Sequence, residues 1–109
     1  MEYIHVPEIT HQEFEKFISG GYAVLDFFSE SNMDCLMMEP FIEALHEEYH
    51  EKINVARVNI EDNKKIVEKF QIFKIPCILI FKEGEILEKI EECVDYEGIR
   101  ICIQKHLKG

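Results

Sequence analysis

Tyr22-Ala-Val-Leu-Asp-Phe-Phe28, running straight into Ser29-Glu-Ser-Asn-Met-Asp-Cys35, is the stretch that decides how this chain folds. Six of its first seven residues are apolar, and the exception is an acid. A near-continuous apolar run of that length reads as a strand buried on both faces, with no solvent side to supply alternation. Gly20-Gly21 ends whatever precedes it, and the polar turn after Phe28 opens a helix.

Working outward, helices and strands alternate. Residues 9–18 read as a short helix with Thr10 or a neighbour as its cap and Phe14, Phe17 and Ile18 as its apolar stripe. Residues 34–50 read as a long helix, in which Met37, Phe41, Leu45 and Tyr49 recur four apart, with Met38 and Ile42 beside them. Pro40 falls inside it and predicts a kink. A strand over 53–60, a helix over 63–70 and an apolar strand over 76–81 follow. Lys82-Glu-Gly-Glu85 supplies turn chemistry before 86–90, which alternates as the second arm of a hairpin. The chain closes with an amphipathic helix over 96–107, burying Ile99, Cys102, Ile103 and Leu107. Strands separated by helices imply a parallel portion, and the hairpin adds an antiparallel one. The expectation is an α/β fold with a central mixed sheet flanked by helices on both faces.

At 109 residues and 47% hydrophobic, the chain reads as one domain spanning 1–109. Net charge is −10, from 22 acidic against 12 basic residues, which disfavours nucleic acid and anionic membranes as partners. No apolar run approaches the ~20 residues of a membrane span. The beginning of the sequence carries no basic region followed by an apolar stretch, so a cytoplasmic location is expected. Cys35, Cys77, Cys93 and Cys102 are too widely spaced for a zinc ribbon or a secreted disulfide framework, which favours reduced thiols.

Asn32-Met33-Asp34-Cys35 has the setting of a dithiol redox site, with asparagine where the first cysteine would stand. A C-x-x-C pair works because one exposed thiolate attacks a disulfide and a second thiol resolves the mixed disulfide. Only the second thiol is present, so the ordinary two-thiol cycle has no first step. Ser31 to Asp34 also fits a hydroxyl followed three residues later by an acid, a helix-start pattern.

Across nearly its whole length the chain resembles the thioredoxin family. The landmarks are Val24-Leu-Asp-Phe-Phe28 with its acid, Cys35 opening a helix, Pro40 within it, Val55-Ala-Arg-Val-Asn-Ile60, Ile75-Pro76 before a strand, and Phe81-Lys-Glu-Gly-Glu85. The resemblance implies a thioredoxin-like fold, a cis bond before Pro76, and cofactor-free disulfide exchange in redox homeostasis. It implies a groove beside Pro76 for a protein or peptide, with a thiol reductant as second partner. The departures are specific. Trp-Cys-Gly-Pro-Cys of the family corresponds to Ser31-Asn32-Met33-Asp34-Cys35, and a preceding tryptophan to Phe28. Two groove glycines are matched by Lys74 and Glu92, which makes the groove bulkier and more charged.

Cys35, Asp26 and Cys77 are the candidate catalytic residues. The helix start lowers the thiol pKa of Cys35, whereas burial and Asp34 raise it. Burial raises Asp26, whereas Arg57 nearby lowers it; in the family the matching acid relays protons for the resolving thiol. Cys77 pairs with Cys35 if its side chain turns that way, or enters the core if strand alternation turns it the other way. Cys102 reads as a core residue, and Cys93 has no assigned role. The candidate binding residues are Ser31, Asn32, Lys74, Ile75, Pro76 and Glu92. His46-Glu-Glu-Tyr-His50 matches H-E-x-x-H, but a catalytic zinc needs a third ligand and a cleft. No metal and no cofactor are therefore assigned. Two readings stay open: an atypical thiol–disulfide protein using Cys35 alone or with Cys77, and a catalytically inactive interaction module using the groove.

Overall fold

The computed structural model describes residues 6–91 and 95–108. Its order is α1 (His11–Ser19), β1 (Tyr22–Phe28), α2 (Met33–Tyr49), β2 (Ile53–Asn59), α3 (Lys64–Lys69), β3 (Cys77–Lys82), β4 (Glu85–Ile90) and α4 (Tyr96–Lys108). The strands form one sheet in the order β2-β1-β3-β4. β1 runs parallel to β2 and antiparallel to β3, and β3 runs antiparallel to β4. The mixed sheet expected from the alternation is present, and β1 is interior to it, which accounts for its near-continuous burial.

Period-two alternation sorts the strand side chains into two layers. Ala23, Leu25 and Phe27 join Phe14 and Ile18 of α1 and Ile66 of α3 on one face. Val24, Ile78 and Ile80 join Met38, Ile42 and Leu45 of α2 and Ile99 and Ile103 of α4 on the other. Helices therefore cover both faces.

The first helix begins two residues later than the sequence pattern implies. Ile9 N–H donates to the Arg57 carbonyl at 2.9 Å and Arg57 N–H to the Pro7 carbonyl at 2.9 Å, so this segment lies extended along β2. Thr10 then caps α1, its backbone N–H and hydroxyl both donating to the Glu13 carboxylate. In α2 the buried positions are Cys35, Met38, Ile42, Leu45 and Tyr49, whereas Met37 and Phe41 are 65% and 41% exposed. A row four apart drifts about 40° per step around a 3.6-residue helix, while a 3-4-3-4 row keeps one face. Met37 and Phe41 belong to the drifting row. Pro40 lies within the helix as expected.

The β3–β4 turn has positive φ at Glu83 (47°) and Gly84 (87°), the geometry that two-residue hairpins favour. Asn63, buried before α3, donates to the Asn59 carbonyl and accepts from His11 N–H, both at 2.9 Å, tying α1 to the end of β2.

Candidate functional site

The site sits where β1 hands over to α2. Ser29 is buried, its hydroxyl donates to Glu61 at 2.7 Å, and it lies 3.0 Å from the Ser31 hydroxyl. With Ser31 engaged there, Asn32 is the helix cap: its Oδ1 accepts from Cys35 N–H at 2.9 Å. The cap is thus one residue beyond the Ser31-to-Asp34 pattern read from sequence. Asn32 commits its acceptor to the helix end.

Cys35 is only 1% exposed. Burial pushes its thiol pKa up, and Asp26 and Asp34 add to that; a backbone hydrogen bond from Ser29 and the Arg57 charge pull the other way without winning. The opposing influences seen in the sequence therefore resolve toward a protonated thiol.

Asp26 is fully buried. Burial outweighs the Arg57 guanidinium and raises the carboxyl from 3.8 to about 6. Arg57 Nε lies 3.4 Å from Asp26 Oδ2, and its Nη1 donates to Glu39 at 2.8 Å. Its guanidinium carbon lies 3.9 Å from the centre of the Phe28 ring. The divided attention of Arg57, with a long contact to Asp26 and a short one to Glu39, explains why it fails to hold Asp26 down. Asp26 Oδ1 and Arg57 Nη2 are buried without a hydrogen-bond partner among the described residues.

Cys77 does not join Cys35. Its register partner is Phe27, and both side chains belong to the layer under α1 and α3, whereas Asp26 alternates to the opposite face of β1. Burial pushes the Cys77 thiol up to about 12. Of the two orientations the sequence left open, the structure builds the core one, and Cys35, Cys77 and Cys102 are free thiols. Cys102 packs against the α2/α4 layer. Glu92 and Cys93 lie outside the described residues.

The Ile75–Pro76 bond is cis. Ile75 and Pro76 line a groove of about 330 Å³ together with Asp34, Met37, Phe41 and Glu91. Ser31 and Lys74 are exposed and Asn32 is half-buried. The sequence reading placed Ile75 and Pro76 in the groove but missed Met37 and Phe41, which it assigned to the core. It also passed over Phe73, 83% exposed just before Lys74. The signal for Met37 and Phe41 was the surplus of apolar residues in the first two turns of α2, more than one buried stripe uses. His46 lies in the last turn of α2 and His50 is its C-cap residue, both outside the groove lining. Among the described residues, no three His, Cys, Asp or Glu side chains converge as a metal site.

A family model described as Thioredoxin matches residues 5–105. A thioredoxin of Chlamydia pneumoniae is 31% identical over 98 residues, covering 90% of this chain and 95% of its own length. A thioredoxin of Staphylococcus saprophyticus is 28% identical over 102 residues, covering 94% and 98%. Among solved structures, a mutant thioredoxin from Halobacterium salinarum superposes with a TM-score of 0.85 at 20% identity, covering 96% of this chain and 93% of its own. The fold is thioredoxin-like.

Proposed function

The chain belongs to the thioredoxin family, and on that premise we propose that it serves cell redox homeostasis with an incomplete site. It takes up a protein or peptide segment in the groove beside Pro76, and Cys35 alone supports at most weak thiol–disulfide exchange there. The observation that carries this is Asn32, whose side chain caps Cys35 N–H at 2.9 Å in place of a first thiol. Attack by Cys35 on a disulfide would release one substrate thiolate and leave a mixed disulfide. With no second thiol beside it, that bond waits for an external thiol reductant. A raised thiol pKa and 1% exposure both slow the attack.

The alternative, a catalytically inactive interaction module, draws on a different observation. Met37 and Phe41 line the groove and are exposed, and exposed apolar surface in a groove marks binding sites. We place the chain in the cytoplasm as a single domain acting without cofactor. No helix among the described residues is long and apolar enough to cross a membrane, and a net charge of −10 disfavours nucleic acid.

The test is reduction of a protein disulfide with dithiothreitol as donor, comparing the wild-type chain with Asn32→Cys and Cys35→Ser. Near-background turnover that rises clearly in Asn32→Cys supports an incomplete site in an intact frame. Wild-type turnover equal to that of Asn32→Cys refutes it. Identical low activity of wild type and Cys35→Ser, with segment binding retained in both, selects the inactive module.

A further inference from the structure

We propose that His46 and His50 form a chelating site for a divalent transition-metal ion of the copper–nickel–zinc class at the C-terminal end of α2, separate from the groove. The two residues are four apart, so they stack on one helical face, and their ring centroids lie 6.1 Å apart at 56°. Two imidazoles sharing a metal at about 2.0–2.1 Å per nitrogen have centroids roughly 5 Å apart. Sharing an ion therefore asks the two rings to approach by about 1 Å.

The hydrogen bonding assigns which nitrogens bind. His50 Nδ1 lies 3.1 Å from the Glu47 carbonyl, which only a protonated Nδ1 satisfies, leaving the Nε2 lone pair free. Donation from the second ring nitrogen to a backbone carbonyl is the usual support for a metal-bound histidine. Among the described residues His46 Nδ1 is buried without a hydrogen-bond partner, which leaves Nε2 as the nitrogen for a ligand. The coordinating pair is Nε2 with Nε2.

The surroundings also suit a cation. The surrounding helix surface is acidic, with Glu47, Glu48 and Glu51 exposed beside the pair, and the whole chain carries −10. Among the described residues no group of three such side chains is assembled, so water completes the coordination. The ion acts as a clip between the last turn of α2 and its C-cap residue, without the protein-made cleft that hydrolysis requires.

The test is calorimetric titration of the reduced full chain with zinc chloride and, separately, nickel chloride, followed by the histidine ring resonances. The expected result is one ion per chain, with shifts confined to His46 and His50. His50→Ala, at an exposed position, should weaken binding by on the order of tenfold or more; His46→Gln should do the same, and His11→Ala should leave it unchanged. Wild-type affinity retained in His50→Ala, or ring shifts at His11 equal to those at His46, overturns the proposal. Binding abolished by Cys102→Ser but not by His50→Ala overturns it also, by assigning the ion to a thiol.

Discussion

Asp26→Asn isolates the electrostatics of the core behind Cys35. The carboxyl rises from 3.8 to about 6 on folding because burial outweighs Arg57. At about 1.4 kcal/mol per tenfold change in proton affinity, that rise corresponds to roughly 3 kcal/mol. A carboxyl raised on folding favours the protonated native state. Its stabilising contribution is therefore full below about 3.8, declines as pH rises, and is gone above about 6. The wild-type chain should lose on the order of 3 kcal/mol between about pH 4 and pH 7 relative to Asp26→Asn, which has nothing to ionise. Urea unfolding measures this: with an m-value of about 1–3 kcal/mol/M, the gap between the two midpoints should change by roughly 1–3 M across that range. Asparagine can leave a buried amide unpaired where Asp26 Oδ1 lies without a partner, but that cost is the same at every pH. The slope, not the offset, is the test. His46, lowered by burial, acts in the opposite sense, gaining stability as pH rises, and cancels in the difference between the two proteins. A difference that is flat from about pH 4 to 7, or that grows in favour of the wild type, would refute the reasoning. In that event Arg57, not burial, governs the carboxyl.

Asn32→Ala should remove the α2 cap and cost about 1 kcal/mol, seen as a fall in Tm of about 4 °C; an unchanged Tm would assign the cap to Ser31 after all. Glu83→Asn should raise stability by about 0.5–1 kcal/mol, because both turn residues have positive φ and asparagine tolerates that region better than glutamate. A fall in Tm would mean that the Glu83 side chain contributes more than its backbone costs.

How far the sequence could be read follows from which physical effects are local. The ends of β1 were legible because Gly20-Gly21 and a polar turn bracket one apolar run. Pro40 and the Lys82–Glu85 turn were legible for similar reasons. Ile9 was misplaced in a helix because its pairing partner, Arg57, is distant in the chain and supplies a backbone ladder that local propensity does not register. Met37 and Phe41 were misassigned because apolarity alone does not separate a buried row from a neighbouring exposed one. At the site, residue types were readable but contests were not. Burial against Arg57 at Asp26, and core against groove for Cys77, turn on register and depth, which exist only after the sheet has formed.

The same reasoning bears on what the altered site retains. Asn32 satisfies the start of α2 well, since an amide oxygen is a stronger acceptor than a thiol. The helix therefore loses nothing structurally by lacking the first cysteine, and an intact frame is no argument for intact chemistry. Asp26 argues the other way. A fully buried carboxyl that makes only a 3.4 Å contact with Arg57 destabilises the native state at neutral pH, and a neutral side chain would pack the position without that cost. What Asp26 supplies is a proton acceptor whose affinity lies near neutrality, electrostatically linked to the Cys35 thiol. An ionised Asp26 pushes the Cys35 thiol further up, so proton loss at one of the two opposes proton loss at the other. Under the proposed weak exchange at Cys35, the destabilising acid behind the thiol has a chemical partner; under the passive groove it has only its stability cost.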